Sequence, residues 1–307
     1  MFIKLINGQL YKVNDSPIIS RTILCKKIEK PIEKDFIRKI IKFNKNEFLF
    51  STNENKIKCL QHKKNSIKFS ISVLYDGIKD FNFYSNFALF ALFKKKILCW
   101  KKVKDRNWKV FAKIYSKDNY DSIFILKKSK LMFTTSYGDD RLKLWSFLGE
   151  QILFCGKTSL KHNIGGIGIE KSSDCFAIGS FEGQIYLYNN NGMLISIMKS
   201  SRLAKKQLNK SNLFPITFFD ENIIFSGGHG AQIVEWDSRV GKPVKFWNGH
   251  KTEIRNIVFP GRKDSCVDSY FYTSDNHGVV KKWDKRIQKE CLSIKFPKDR
   301  NSTILLF

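Results

Sequence analysis

Histidine and cysteine are too few and too scattered in this chain to suggest chemistry of their own. The five histidines do not cluster, and no CxxC, HxxxH or HExxH spacing occurs, which removes the usual grounds for a zinc site. The cysteines, at 25, 59, 99, 155, 175, 266 and 291, lack paired spacing and fall mostly within expected strands. They read as small buried residues in a reducing compartment, not as disulfides. No Ser/His/Asp or Cys/His set stands out in sequence order. The expectation is a non-catalytic protein with no cofactor, no metal and no small-molecule substrate.

Long apolar runs are also missing. The longest clean one is FALFALF, residues 87–93, far short of the ~20 residues a membrane helix needs. No N-terminal segment has the charged, apolar and small-residue order of a signal peptide, so an intracellular protein without membrane contact is expected. No Pro/Gly/Ser-rich linker divides the chain, and residues 1–307 read as one domain. Two glycine motifs invite a nucleotide reading and fail it. Gly156-Lys157-Thr158 has Gln151 where a phosphate loop needs its first glycine. GGIGIE, residues 165–170, lacks a strand–turn–helix context; its glycines suit close backbone packing in an inner strand.

Acid is scarce: 28 Asp and Glu stand against 55 Lys and Arg, a net charge of +27. That imbalance points to nucleic acid or another polyanion. Lysine, however, outnumbers arginine 45 to 10, and Ile, Asn and Phe are abundant too, the composition that an AT-rich genome favours. Charge alone therefore leaves two readings open, a selected anionic partner or mutational drift on solvated faces. Hydrophobic residues make up 42% of the chain and include 27 Phe, enough to fill a core and exclude disorder.

What the chain does have is a repeat. FSGGHGAQIVEWDSR (225–239) and YTSDNHGVVKKWDKR (272–286) share one pattern, in which turn-forming residues lead into an alternating strand closed by Trp-Asp. Weaker copies end at Trp145, Tyr188 and Trp100, and a fainter one at Leu60. The anchors are spaced by 40, 45, 43, 48 and 47 residues from Leu60 to Trp283, which fits a four-stranded propeller blade of about 40–45 residues. Alternation such as Ile233 and Glu235 against Val234 and Trp236 argues strand over helix.

On these residues the chain resembles the WD-repeat family of β-propellers. Gly249-His250 strengthens the likeness, since the His lies 33 residues before Trp283, where that family places its GH pair. The family also carries a buried Asp in the turn six residues before the Trp, bonded to the His. Asp139 holds that offset before Trp145, but His277 and Glu182 occupy it before Trp283 and Tyr188. The expectation is thus a polar network mostly lost, with Trp100, Trp145, Tyr188, Trp236, Asp237, His250, Trp283 and Asp284 as structural anchors.

Six blades follow from the register, over residues 35–70, 71–115, 120–158, 163–199, 213–249 and 252–297. Both ends remain. FIKLINGQLYKV carries Asn7-Gly8 between alternating runs, a hairpin signal; residues 18–28 read as a third strand and 303–307 as a fourth. An all-β, seven-bladed propeller is expected, its last blade closed by N-terminal strands and the C-terminal strand, which leaves no free edge at the seam.

Three features are candidates for binding. The longest basic connection, residues 199–212, carries Lys199, Arg202, Lys205, Lys206 and Lys210 and no acid, which suits phosphate neutralisation on RNA as well as a solvated insertion. A second cluster holds Lys94, Lys95, Lys96, Lys101, Lys102, Lys104 and Arg106 among Trp100 and Trp108. Trp100 belongs to the anchor register, leaving Trp108 as the candidate for base stacking. Third, Arg239 and Arg286 each stand two residues after a Trp-Asp. Consecutive WDxR blades resemble the substrate receptors of cullin-type ubiquitin ligases, where that Arg helps dock the adaptor; alternatively, each Arg packs over its own Asp. The reading is a scaffold for a multiprotein, RNA-containing complex, by family analogy in nuclear or nucleolar ribosome assembly.

Overall fold

The computed structural model describes residues 2–6, 9–13, 37–44, 47–61, 66–72, 77–85, 88–104, 107–116, 119–135, 142–148, 151–155, 164–170, 173–180, 183–199, 215–228, 230–259, 270–287, 289–295 and 303–306. All regular structure among them is β. Strands β1 (Phe2–Ile6) and β2 (Gln9–Val13) form a hairpin at the start. The first blade is β3 (Ile37–Lys42), β4 (Glu47–Thr52), β5 (Lys56–Gln61) and β6 (Ser66–Ser72). The second is β7 (Asp80–Tyr84), β8 (Ala88–Leu92), β9 (Lys96–Lys104) and β10 (Asn107–Tyr115). The third is β11 (Ser122–Leu126), β12 (Leu131–Thr135), β13 (Leu142–Ser146) and β14 (Gln151–Cys155). The fourth is β15 (Ile164–Ile169), β16 (Phe176–Ser180), β17 (Ile185–Tyr188) and β18 (Leu194–Met198). The fifth is β19 (Ile216–Phe218), β20 (Ile223–Ser226), β21 (Gln232–Asp237) and β22 (Lys242–Asn248). The sixth is β23 (Ile254–Val258), β24 (Tyr270–Asp275), β25 (Val279–Asp284) and β26 (Lys289–Lys295), and β27 is Thr303–Leu306.

Each of the six sheets is an antiparallel meander of four strands in sequence order. The first strands of neighbouring sheets approach one another, β15 with β19 and β19 with β23, so they line the axis and the fourth strands form the rim. This is a β-propeller. Its burial pattern follows. Second strands such as EFLFST, ALFAL and FAIGS are buried at every position because sheets cover both faces, which is why apolar residues follow one another in them instead of alternating with polar ones. The core is a series of inter-blade layers. One joins Leu49, Ile57 and Cys59 of the first blade to Phe81, Leu89 and Trp100 of the second. Another joins Phe225 and Trp247 of the fifth to Phe271 and Trp283 of the sixth. Each buried Phe or Leu in such a layer contributes roughly 1.5–3 kcal/mol.

Seven blades are expected from the register; the structure corrects this to six four-stranded blades and a three-stranded sheet of order β2-β1-β27. Both ends of the chain do meet, Phe2 pairing with Leu306 and Leu5 with Thr303. The expected strand over 18–28 lies outside the described residues. Strand β27 adjoins β23 of the sixth blade and β3 of the first, so the terminal sheet stands between them.

One repeat feature escaped the sequence. In all six blades the pairing of third and fourth strands slips by one residue beside the anchor, at Leu60, Trp100, Trp145, Tyr188, Trp236 and Trp283. The extra residue on the rim strand is Lys68, Phe111, Ile152, Ile195, Val244 or Cys291. A β-bulge leaves its extra residue unpaired and re-aims it. Phe111, Ile195 and Val244 are accordingly exposed.

Candidate functional site

The Trp-Asp repeats end in two matching corners. At the end of β21, Asp237 Oδ1 accepts from the Arg239 backbone N–H at 2.9 Å and from Nε at 3.0 Å, and Oδ2 accepts from Nη2 at 2.6 Å. At the end of β25, Asp284 accepts the same three bonds from Arg286, at 2.9, 3.1 and 2.8 Å. Arg286 also donates to the Tyr270 hydroxyl at 3.2 Å. The side-chain bond from Arg239 holds the Asp237 carboxyl below its usual range, and that from Arg286 lowers Asp284 to about 2. Each Arg lies over its own carboxylate, yet the two side chains remain 68% and 64% exposed. The carboxylate fixes the fork of the guanidinium, and its outer side stays open to a partner. Beside them, Val240 and Ile287 are both 59% exposed. The corresponding turns of the third and fourth blades expose Leu148 and Met193.

Buried behind the second corner is a polar relay. His250 Nδ1 lies 3.1 Å from Asp275 Oδ2, and Nε2 lies 2.6 Å from Thr273 Oγ1. That hydroxyl accepts from Trp283 Nε1 at 2.8 Å. Asp275 Oδ1 accepts the backbone amides of His277 and Val279. A carboxylate only accepts, so the His250 proton sits on Nδ1, and in the neutral ring Nε2 accepts from Thr273. Burial raises the Asp275 carboxyl, but the bonds from His250 and Val279 outweigh it and leave the group below its usual range. Gly249 precedes His250 because a Cβ there would lie 2.5 Å from Trp283 Cη2.

The network expected to be lost is therefore intact in the sixth blade. Its Asp is Asp275, eight residues before Trp283, and not position 277. Elsewhere the relay is reduced to one bond. Trp236 Nε1 donates to Ser226 at 2.8 Å and Trp145 Nε1 to Thr134 at 3.0 Å. Asp139 and Glu182 lie outside the described residues. Phe50, Phe90 and Ile178, ten residues before Leu60, Trp100 and Tyr188, are buried apolar residues, so no side-chain hydroxyl stands at that position in those blades. All the aromatic anchors, Trp100, Trp145, Tyr188, Trp236 and Trp283, are buried.

Of the longest basic connection, Lys199 is exposed just after β18; Arg202, Lys205, Lys206 and Lys210 lie outside the described residues, as do Arg106 and the motif at 156–158. In the second cluster, Trp108 is half-buried and its ring lies 5.5 Å from Phe69 of the first blade. It packs between blades. Lys94, Lys95, Lys101, Lys109 and Lys113 are exposed. Gly168 of β15 faces β19 so closely that a Cβ would meet Ile216 at 3.0 Å, a packing role for the glycine-rich run.

Among the described residues, no group of three or more His, Cys, Asp and Glu is placed to hold a metal, and no helix is long and apolar enough to cross a membrane. Burial pushes the thiols of Cys59 and Cys99 up to about 12, which keeps them protonated and inert at neutral pH. Comparison with protein-family models finds no match, and no curated protein matches the chain.

Proposed function

We propose that this chain is a WD-repeat β-propeller that acts as a non-catalytic scaffold in a multiprotein, RNA-containing nuclear complex, with nucleolar ribosome assembly as the specific setting. The paired Trp-Asp corners and the His250–Asp275–Thr273–Trp283 relay support the WD-repeat assignment. In this reading the three-stranded sheet β2-β1-β27 fills a seventh blade position. The observation that carries the RNA component is the surface of the second blade. Lys101, Lys102, Lys109 and Lys113 make no ion pair among the described residues. Elsewhere lysines do pair with carboxylates, as Lys68 with Glu47 and Lys79 with Asp121. Affinity purification with and without ribonuclease tests the proposal. Preribosomal proteins should co-purify and largely disappear after digestion; their absence from both samples would defeat it.

A second reading is favoured by the matched corners. Arg239 and Arg286 present the same guanidinium geometry on adjacent blades, as an adaptor of a cullin-type ubiquitin ligase would require. Its test is a pull-down in which wild type captures the adaptor and the Arg239→Ala/Arg286→Ala protein does not.

A further inference from the structure

Lysine is so frequent in this chain that its absence marks a place. Residues 183–198 are the longest run without Asp, Glu, Lys or Arg, and the run ends with β18, the rim strand of the fourth blade. The rim strands β6, β10, β22 and β26 each carry at least one lysine, as does β2 at the end of the terminal sheet. Only β14 (QILFC) and β18 (LISIM) have no charge. Charged residues on an edge strand keep other chains from pairing with it, and β18 lacks that protection. We infer that β18 is a docking edge for an extended segment of a partner protein, which adds to the sheet as an antiparallel strand. The segment carries apolar residues at alternate positions and an acidic residue at its N-terminal end.

The strand is open on its outer side. It comes last in the order β15-β16-β17-β18, so its outer N–H and C=O groups meet no strand among the described residues. Leu194, Ile195 and Ile197 are exposed, as is Met193 just before them, a denser apolar cluster than any other exposed one among the described residues. Register with β17 assigns the faces. Leu194 and Ile197 lie opposite Tyr188 and Tyr186, on the face turned to the third blade. Ser196 and Met198 lie opposite Leu187 and Ile185, on the face turned to the fifth. The bulge at Ile195 is what lets Leu194 and Ile197, three apart, share a face. An added strand sends its side chains to the two faces alternately, so large apolar residues at every second position meet Leu194 and Ile197. The edge is also preformed. Asn189 Oδ1 accepts the amides of Asn191 at 3.0 Å and Met193 at 2.9 Å, and Gly192 supplies the positive φ of the turn. Met198 is buried at the other end with Ile216 and Trp236 of the fifth blade, so docking orders little of this chain.

Charge and size select the occupant. Two copies, each of net charge +27, repel one another. A strand of five residues is also too small a contact to supply the ~800 Å² per partner that holds two folded bodies together. Strand addition draws its affinity from main-chain hydrogen bonds instead. Lys199 is exposed directly after β18, whereas the turn at the other end is uncharged. An antiparallel partner begins beside Lys199, where an acidic residue completes the pair.

The site rests on the scaffold reading above and gives it one partner chemistry. The probe is a fluorescein-labelled peptide with blocked ends, Asp-Val-Thr-Val-Thr-Val, titrated into the purified full chain and followed by anisotropy. Wild type should bind it. Two further peptides are N-methylated, one at the Val amides and one at the Thr amides. One should lose binding and the other keep it, because a strand offers alternate amides to one neighbour. Ile197→Lys should weaken binding about tenfold or more through loss of an apolar contact, and Val244→Lys on the neighbouring rim strand β22 should not change it. Lys199→Glu should weaken binding about two- to fivefold, and a peptide headed by Lys should reverse that preference. Melting temperatures should match wild type, since these side chains are exposed. Absence of wild-type binding, or unchanged affinity in Ile197→Lys, overturns the site. Equal binding of the two methylated peptides also overturns it, by showing apolar adhesion without strand pairing. A sedimentation equilibrium that gives a dimer for wild type and a monomer for Ile197→Lys assigns the edge to a second copy and overturns the partner assignment. Peptide binding through β18 by a protein that purifies without preribosomal proteins would defeat the assembly reading and leave this site standing.

Discussion

Replacing Thr273 by valine changes almost no volume and removes one hydroxyl, so its cost reports the relay and not the packing. Thr273 is fully buried, and its hydroxyl serves two groups at once, Trp283 Nε1 and His250 Nε2. In the variant both polar atoms stay buried without a partner. Each such loss costs about 1–3 kcal/mol, and the two share one geometry, so about 2–4 kcal/mol is expected. Thr134 provides the internal control. Its hydroxyl accepts from Trp145 alone among the relay groups, and Thr134→Val should cost about 1–2 kcal/mol. Thr273→Ser keeps the hydroxyl and should recover most of the loss. Urea titrations followed by tryptophan fluorescence, with melting temperatures alongside, give the comparison. At about 2–4 °C per kcal/mol for a large domain, Thr273→Val should melt roughly 4–16 °C below wild type. A variant within about 0.5 kcal/mol of wild type, or a Thr134→Val as costly as Thr273→Val, would refute a relay that couples His250 to Trp283.

Gly249→Ala should destabilise by about 1–3 kcal/mol through overpacking against Trp283, and Trp283→Phe, which removes the contacting ring atom, should reduce that penalty in a double-mutant cycle; additive effects would show that the glycine is there for another reason. The Asp275 carboxyl is depressed in the folded state, so its stabilisation is complete above the unfolded value near 3.9 and is lost as pH falls through the lower folded value. Asp275→Asn should accordingly lower the melting temperature at pH 7 and leave a smaller difference from wild type at pH 3; a constant difference across that range would remove the carboxylate from the argument.

The period of the anchors was enough to place the six four-stranded blades, because alternation and spacing are properties of the chain alone. The terminal segments carry no anchor and led to a seventh blade where a three-stranded sheet stands. Even Leu60, with no aromatic ring, marks its strand correctly, although the bulge beside it was not legible. The partners of those anchors were less legible. Asp275 was missed because the turn before β25 begins two residues earlier than the family offset suggests, and only the fold brings it to His250 across β23. The exposure of Tyr115 and Phe111 was not legible for a different reason. Near the axis both faces of a strand are covered, so an aromatic residue reads as core. At the rim the blades diverge, and the same pattern leaves rings in solvent. Trp108, the candidate from sequence, sits where the first and second blades still touch.

The pairing of β1 with β27 also fixes an order of events during synthesis. Phe2 cannot meet Leu306 until the intervening chain has been made, which at roughly 5–20 residues per second takes about 15–60 s. For that interval β1 has an open edge, and edges of this kind pair readily with other chains. The six central sheets can form earlier, each from contiguous sequence. A nascent chain thus spends most of its synthesis as an open arc whose first strand has not yet met its partner. Ribosome stalling before residues 303–306 are made would prolong that state, and protection by a holdase would matter most then.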